Sequence, residues 1–124
     1  MNINKKLEVL ENAYLCRSND KLEKQVAVAL ASILSKGESG LKLLLERLFK
    51  GLTFSGNSIT LYNWGEDAWN ELMKKQEIIK ALGAAKAKGA LDKLEKLLNA
   101  NCNYGQWRDC IIGPLERAIT AIKS

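Results

Sequence analysis

Between short clusters of glycine and asparagine, this chain places apolar residues three and four positions apart almost without interruption. That spacing lines them up on one face of a 3.6-residue helix and is incompatible with the alternation of a half-buried strand. It predicts an all-α fold of about six helices, near 4–16, 20–35, 40–51, 64–82, 86–99 and 106–123, with residues 1–124 forming a single helical domain. A chain of 124 residues, 47% of them hydrophobic, fits one core without disulfides or metal.

The expected inward faces follow from the spacing. Helix one offers Ile3, Leu7, Leu10 and Tyr14. Helix two offers Leu22, Val26, Ala29, Leu30 and Ile33, with Asp20 and Glu23 spaced as a capping box. Helix three carries Leu41, Leu44, Leu45 and Leu48, widened by Leu43 and Phe49. Helix four lines up Trp69, Leu72, Met73, Ile79 and Leu82, with Asn63 and Glu66 as its cap and Gly83 as a C-terminal stop. Helix five presents Ala87, Ala90, Leu91, Leu94, Leu97 and Leu98. Helix six presents Trp107, Ile111, Leu115, Ala118 and Ile122, and Pro114 within it should bend or restart the helix.

Residues 29–48, ALASILSKGESGLKLLLERL, and 81–98, ALGAAKAKGALDKLEKLL, read alike. Each has Ala-Leu late in one helix, a Lys/Gly link, and a glycine-led, leucine-rich second helix, at an offset of about 50 residues. A hairpin of this kind cannot bury its apolar face alone and must stack on a neighbour. The stretch IIKALGAAKAKGALDKLEKLL resembles the HEAT-like repeats of the phycobilisome-lyase type. The matching positions are Ala81, Leu82, Gly83, Ala90, Leu91, Leu94, Leu97 and Leu98. The resemblance covers residues 78–98 best and 29–48 loosely, where Ser32 stands in place of the glycine. It implies stacked antiparallel hairpins, a HEAT-like α-α superhelix, and assigns those residues to packing. An irregular helical bundle is the alternative architecture.

One segment departs from the pattern. LTFSGNSITLYNWG, residues 52–65, carries no charge but holds Phe54, Tyr62 and Trp64. Its SGNS centre has turn chemistry, flanked by β-branched and aromatic residues, which points to a small β-hairpin at 52–62. Two readings follow: Phe54, Ile59, Leu61 and Trp64 fold back onto the helices, or the segment offers aromatic side chains to a partner. Tyr104 and Trp107 in NCNYGQW would join Phe54, Tyr62 and Trp64 in such a partner-binding surface.

The formal charge is +5, and residues 74–96 hold seven lysines against three carboxylates, a surplus of four. Lys80, Lys86, Lys88 and Lys93 are therefore the candidate anion-binding residues, with phosphate-backbone contact as the mechanism. The face is all lysine, however, whereas bidentate recognition favours arginine.

Catalysis is the least supported class. The chain has no histidine, and neither KGESG nor GAAKAKG has the spacing of a phosphate loop. Glu66, Asp67 and Glu71 suit the dipole at the start of helix four. Cys16, Cys102 and Cys110 are too few and too scattered for a disulfide framework or a zinc site and read as small apolar thiols. No catalytic residue, metal or cofactor is expected.

The apolar runs are too short to span a bilayer, and the N-terminal segment lacks a signal-peptide core, so the expectation is a cytoplasmic protein without a membrane partner. The leading expectation is a protein-binding adaptor, inhibitor or immunity-type module that uses its aromatic loops or an inter-helix groove. A nucleic-acid-binding module using the Lys74–Lys96 face is the alternative. Ile3, Val9 and Tyr14 at one end, or Ile119 and Ile122 at the other, would serve a homodimer.

Overall fold

The structure, a computed structural model, describes residues 2–17, 19–61 and 67–124. These residues are mostly helical, with a small three-stranded sheet. The elements in order are α1 (Ile3–Glu11), α2 (Asp20–Leu34), α3 (Glu38–Phe49), β1 (Leu52–Ser55), β2 (Ser58–Leu61), α4 (Ala68–Ala84), α5 (Leu91–Leu98, entered through a 3₁₀ turn at Lys88–Ala90), β3 (Asn101–Cys102), a short α6 (Gly105–Trp107), a π-helical turn (Arg108–Ile112) and α7 (Gly113–Lys123).

α1 stops five residues before the apolar spacing suggests. Asn12 caps it, and the chain then turns so that Ala13 and Leu15 are buried while Tyr14 is exposed at 55%. An irregular segment with buried backbone needs side-chain partners, and Asn70 of α4 supplies them. Its Oδ1 accepts from Leu15 N–H at 2.6 Å and its Nδ2 donates to the Ala13 carbonyl at 3.1 Å. At the start of α2 the cap is Asn19, not Asp20: the Asn19 side chain accepts from Leu22 N–H at 3.1 Å. The expected Asn63 and Glu66 cap of α4 lies outside the described residues.

The hairpin forms where the turn residues place it. Gly56 takes a φ of +60° at the first loop position, and Ser55 pairs with Ser58 across the two-residue loop. Positive φ at that position is the demand of a primed turn that follows the strand twist, and glycine meets it without strain. Leu52 pairs with Leu61 and Phe54 with Ile59 on the inward face, while Thr53 and Thr60 face out. A lone hairpin is marginal in water. Here β3 adds a parallel third strand on β2, and Asn101 N–H donates to the Asn57 carbonyl at 2.6 Å.

The helices run in consistent directions. An added Cβ on Gly89, just before α5, would meet Leu41 Cδ2 near the start of α3 at 2.7 Å, and Lys75 in α4 reaches the carbonyls at the end of α3. α2 and α4 therefore run parallel. Gln76 reaches Cys110 ahead of α7, and Lys86 beyond α4 reaches Ser124 beyond α7 at 3.4 Å, so α7 runs parallel to α4 as well. α2 packs on α4 and α4 on α7, while α3 and α5 are the returning helices. One apolar cluster joins Leu10, Leu30, Leu44, Leu72, Ile79, Leu94 and Ile111, and all seven are fully buried.

One expectation about a helix end changes, at Gly83, while Pro114 restarts a helix as expected. Gly83 lies inside α4, where it lets α7 approach: a Cβ there would fall 2.8 Å from Ala118 Cα. The helix closes two residues later in a Schellman motif. Lys86 takes φ +49°, its N–H donates to Gly83 O, and Ala87 N–H donates to Leu82 O, both at 3.0 Å. Pro114 restarts the last helix after a π-helical turn. A proline there cannot donate to the carbonyl four residues back, Cys110 O, and that carbonyl instead accepts from Gln76 Nε2 at 2.9 Å.

Candidate functional site

α4 carries its polar residues on two consecutive turns, and there they tie the ends of α1 and α3 together. Arg47, with a side chain only 5% exposed, donates from Nε to both oxygens of Glu11 at 3.0 and 2.9 Å. Its two terminal nitrogens donate to Glu71 at 2.6 and 2.8 Å, a bidentate fork. Lys75 is fully buried. Its ammonium donates to the Leu48 and Lys50 carbonyls at 2.6 and 2.7 Å, more weakly to Arg47 O at 3.3 Å, and lies 3.1 Å from Glu71. Lys74 does the same for α1, donating to Glu11 O at 2.7 Å. Both lysines thus neutralise the negative ends of helices.

The charges are mutually adjusted. Burial works against the charge on Arg47, but hydrogen bonding to Glu71 and Glu11 and their charges outweigh it and hold the guanidinium above its ordinary range. Burial also favours protonated Glu71. The hydrogen bond from Arg47 and the charge of Lys75 reverse this, and the carboxyl sits below its ordinary value. Burial dominates at Lys75 and brings its ammonium down to about 8, with Glu71 offsetting part of the fall. Among the described residues, the partners in this clasp are other residues of the fold, so Glu71 and Lys75 act as struts. The sequence reading missed this: Glu71 was expected to serve a helix dipole, and Lys74 and Lys75 an anion face. An arginine and two lysines amid leucines was the available signal.

A second feature, a concave one, lies on the opposite, outward side of the parallel helices. α2 and α4 diverge to leave an open groove of about 820 Å³. Its walls are mostly small: Ala27, Val28 and Ala31 from α2 face Ala81 and Ala84 from α4, with Leu34 at one end. Val28 is 70% exposed, the most uncovered large apolar side chain among the described residues. Asp20, Glu23, Lys24, Glu77 and Lys80 rim the other end. Glu77 is itself buried and accepts from Lys80 at 2.9 Å. The amphipathic pattern of α2 concealed this feature, because it points to the inward stripe of Val26, Leu30 and Ile33 and gives Ala27 and Ala31 no role.

A smaller groove of about 600 Å³ runs between α3 and α5, lined by Leu41, Leu45, Phe49 and Lys93 among others. Phe49 stacks on Phe54 at 5.8 Å between ring centroids. Lys93 and Lys96 lie over these two rings, at 5.5 and 4.5 Å.

No family model, curated protein or solved structure matches this chain.

Among the described residues, the candidates named from sequence do not all lie at the surface. Phe54 is half-buried against Phe49. Tyr104 is half-buried, and Trp107 is 2% exposed, within the core, so its ring is withdrawn from any partner. Trp107 instead leaves its indole N–H without a partner among the described residues. Tyr62 and Trp64 lie outside the described residues. The candidate cations are dispersed. Lys80 is paired to Glu77, Lys86 terminates α4, Lys93 covers Phe49, and Lys88 is exposed on the turn before α5. The cysteines are also apart in environment: Cys110 is buried, while Cys16 and Cys102 are half-buried, and burial raises the thiol pKa of both Cys102 and Cys110. Among the described residues no helix is long and apolar enough to cross a membrane, and no cluster of three metal-ligating side chains occurs.

Proposed function

We propose that the chain is a non-catalytic protein-binding module, of the adaptor or inhibitor kind, that receives its partner in the groove between α2 and α4. One observation carries the reading: an elongated apolar groove, walled by alanines, with Val28 left 70% exposed. An uncovered valine between small side chains gains from burial against another surface, at roughly 25 cal/mol per Å² of apolar area removed from water. The clasp around Arg47 fixes α4 against α1 and α3, so the groove wall is rigid before binding, which lowers the ordering cost of association. The parallel course of α2, α4 and α7 supports a HEAT-like stack as the architecture. Nucleic-acid binding is the weaker reading, because three of the four candidate lysines are engaged within the fold.

The test is a photo-crosslinking residue placed at Val28 and, as control, at Thr53 on the outward face of the sheet. The expected result is a discrete, nuclease-insensitive protein adduct from position 28 alone. Adducts that appear equally at both positions, or that vanish with nuclease, would overturn the proposal.

A further inference from the structure

The two ends of this groove differ in charge, and the difference selects an occupant. Asp20 and Glu23 stand at the start of α2, and Glu77 lies on the same rim. Glu77 is already paired to Lys80. With Lys24 beside them, Asp20 and Glu23 leave this end one carboxylate in excess, a local reversal of sign on a chain of net charge +5. Toward the other end, Ala31, Leu34, Ala81, Ala84 and Ala85 leave the walls without charge. The lining on α2 extends from Asp20 to Ser35, which at the helical rise is roughly 22 Å, about four turns. Alanine walls let the backbone of a third helix approach closely.

We infer that the groove receives an amphipathic helix of another protein, lying antiparallel to α2 and α4, with a small aliphatic face and lysine or arginine in its last turn. The inference rests on the protein-docking reading above. In that orientation the C-terminal end of the incoming helix meets the start of α2, so the two helix dipoles attract, and its terminal cations face Asp20 and Glu23. Among the described helices a second copy offers no free one with a basic last turn: α3 has Arg47 there, but it is buried and held by Glu11 and Glu71. α7 ends in Lys123 but is committed to α4 and α5, and α5 ends near Lys96, which covers Phe54.

The experiment uses two synthetic helical peptides of about 16 residues. Both have an alanine-leucine face. One ends in two lysines, the other in two glutamates. Affinity is read by fluorescence anisotropy, and the site by methyl NMR shifts at Val28, Ala31, Ala81 and Ala84. The lysine peptide should bind about tenfold more tightly, and the double variant Asp20→Lys/Glu23→Lys should reverse the order. Val28→Asp should abolish both. Equal affinity of the two peptides at these methyls would overturn the inference and leave the docking reading standing. Failure of both peptides, or shifts confined to other faces, would overturn the helical occupant, and the position-28 crosslink then decides the docking reading separately. A dimer of the free protein that Val28→Asp dissociates would overturn it in favour of a second copy.

Discussion

Replacing Arg47 by methionine keeps most of the buried stem and removes the guanidinium. Four hydrogen bonds disappear, two to Glu11 and two to Glu71. The two carboxylates fare differently. The Glu11 side chain is 35% exposed and can turn to water at little cost. The Glu71 side chain is 21% exposed and keeps Lys75 at 3.1 Å, but loses the fork that held both of its oxygens. Removing one partner of a buried pair costs roughly 3–5 kcal/mol. With Glu11 free to hydrate and Lys75 still in place, the expectation falls to about 2–3 kcal/mol.

Urea denaturation followed by circular dichroism measures this. With a slope of roughly 1–3 kcal/mol/M, the midpoint should fall by about 1–2 M at neutral pH. Acid provides the control. The pKa of Glu71 in the folded protein lies below its ordinary value, so its contribution is complete above that ordinary value and is lost as pH falls through the lower, folded one. The deficit of Arg47→Met should therefore shrink in acid. A second change, Glu71→Leu, should cost less in the Arg47→Met background than alone, because the carboxylate has by then lost its main partner. A deficit under about 1 kcal/mol, or one indifferent to pH, would refute the argument that this pair holds α3 to α4.

Glycine substitutions should follow the space around each Cβ. Gly40→Ala sets a methyl against the carbonyl oxygen of Ile33 and should cost about 3 kcal/mol. Gly83→Ala meets the Ala118 backbone at 2.8 Å and should cost about 1–3 kcal/mol, while Gly89→Ala meets only the movable end of Leu41 and should be nearly neutral; any other order in thermal melts contradicts the packing described. Lys86→Gly relieves a left-handed residue at φ +49° and should raise stability by about 0.5–1 kcal/mol, seen as a melting temperature higher by about 2–4 °C. Lys75 titrates near 8 when folded against about 10.4 when unfolded, so the unfolded chain holds more protons between these values and stability should rise with pH across them. Lys75→Met should flatten that rise, and parallel curves for the two proteins would show that Lys75 does not titrate in this window.

The helices were legible because burial and periodicity agree in them. Val26, Leu30 and Ile33 were expected to face inward and are buried, as are Leu44 and Leu48 of α3. The hairpin was legible from Gly56 and the flanking alternation. The ends were not, because different rules decide them. Leu15 continues the helical spacing yet belongs to a turn held by Asn70, some 55 residues away in sequence. Gly83 carries the chemistry of a helix stop, but close approach to Ala118 uses it, and Lys86 accepts the left-handed position instead. Trp69 falls on the apolar spacing of α4 and is 40% exposed, while Lys75, on the same helix, is fully buried. A lysine is worth burying only where several carbonyls and a carboxylate converge, and that convergence depends on how α3 ends.

The same limitation explains why the lysine surplus of residues 74–96 does not amount to a binding face. Counting charges along a chain assumes that each is free to act on solvent. Lys74 and Lys75 instead neutralise the ends of α1 and α3, Lys80 holds Glu77, and Lys93 and Lys96 cover aromatic rings. A phosphate backbone would have to compete with these contacts and would release few counterions, so any nucleic-acid affinity should be weak and shallow in its salt dependence. The groove beside α2 shows the reverse relation. Its alanines carry no signal in composition or charge, yet two parallel helices bring them together around one exposed valine. The affinity such a surface offers comes from shape, and only the directions of α2 and α4 make that shape available.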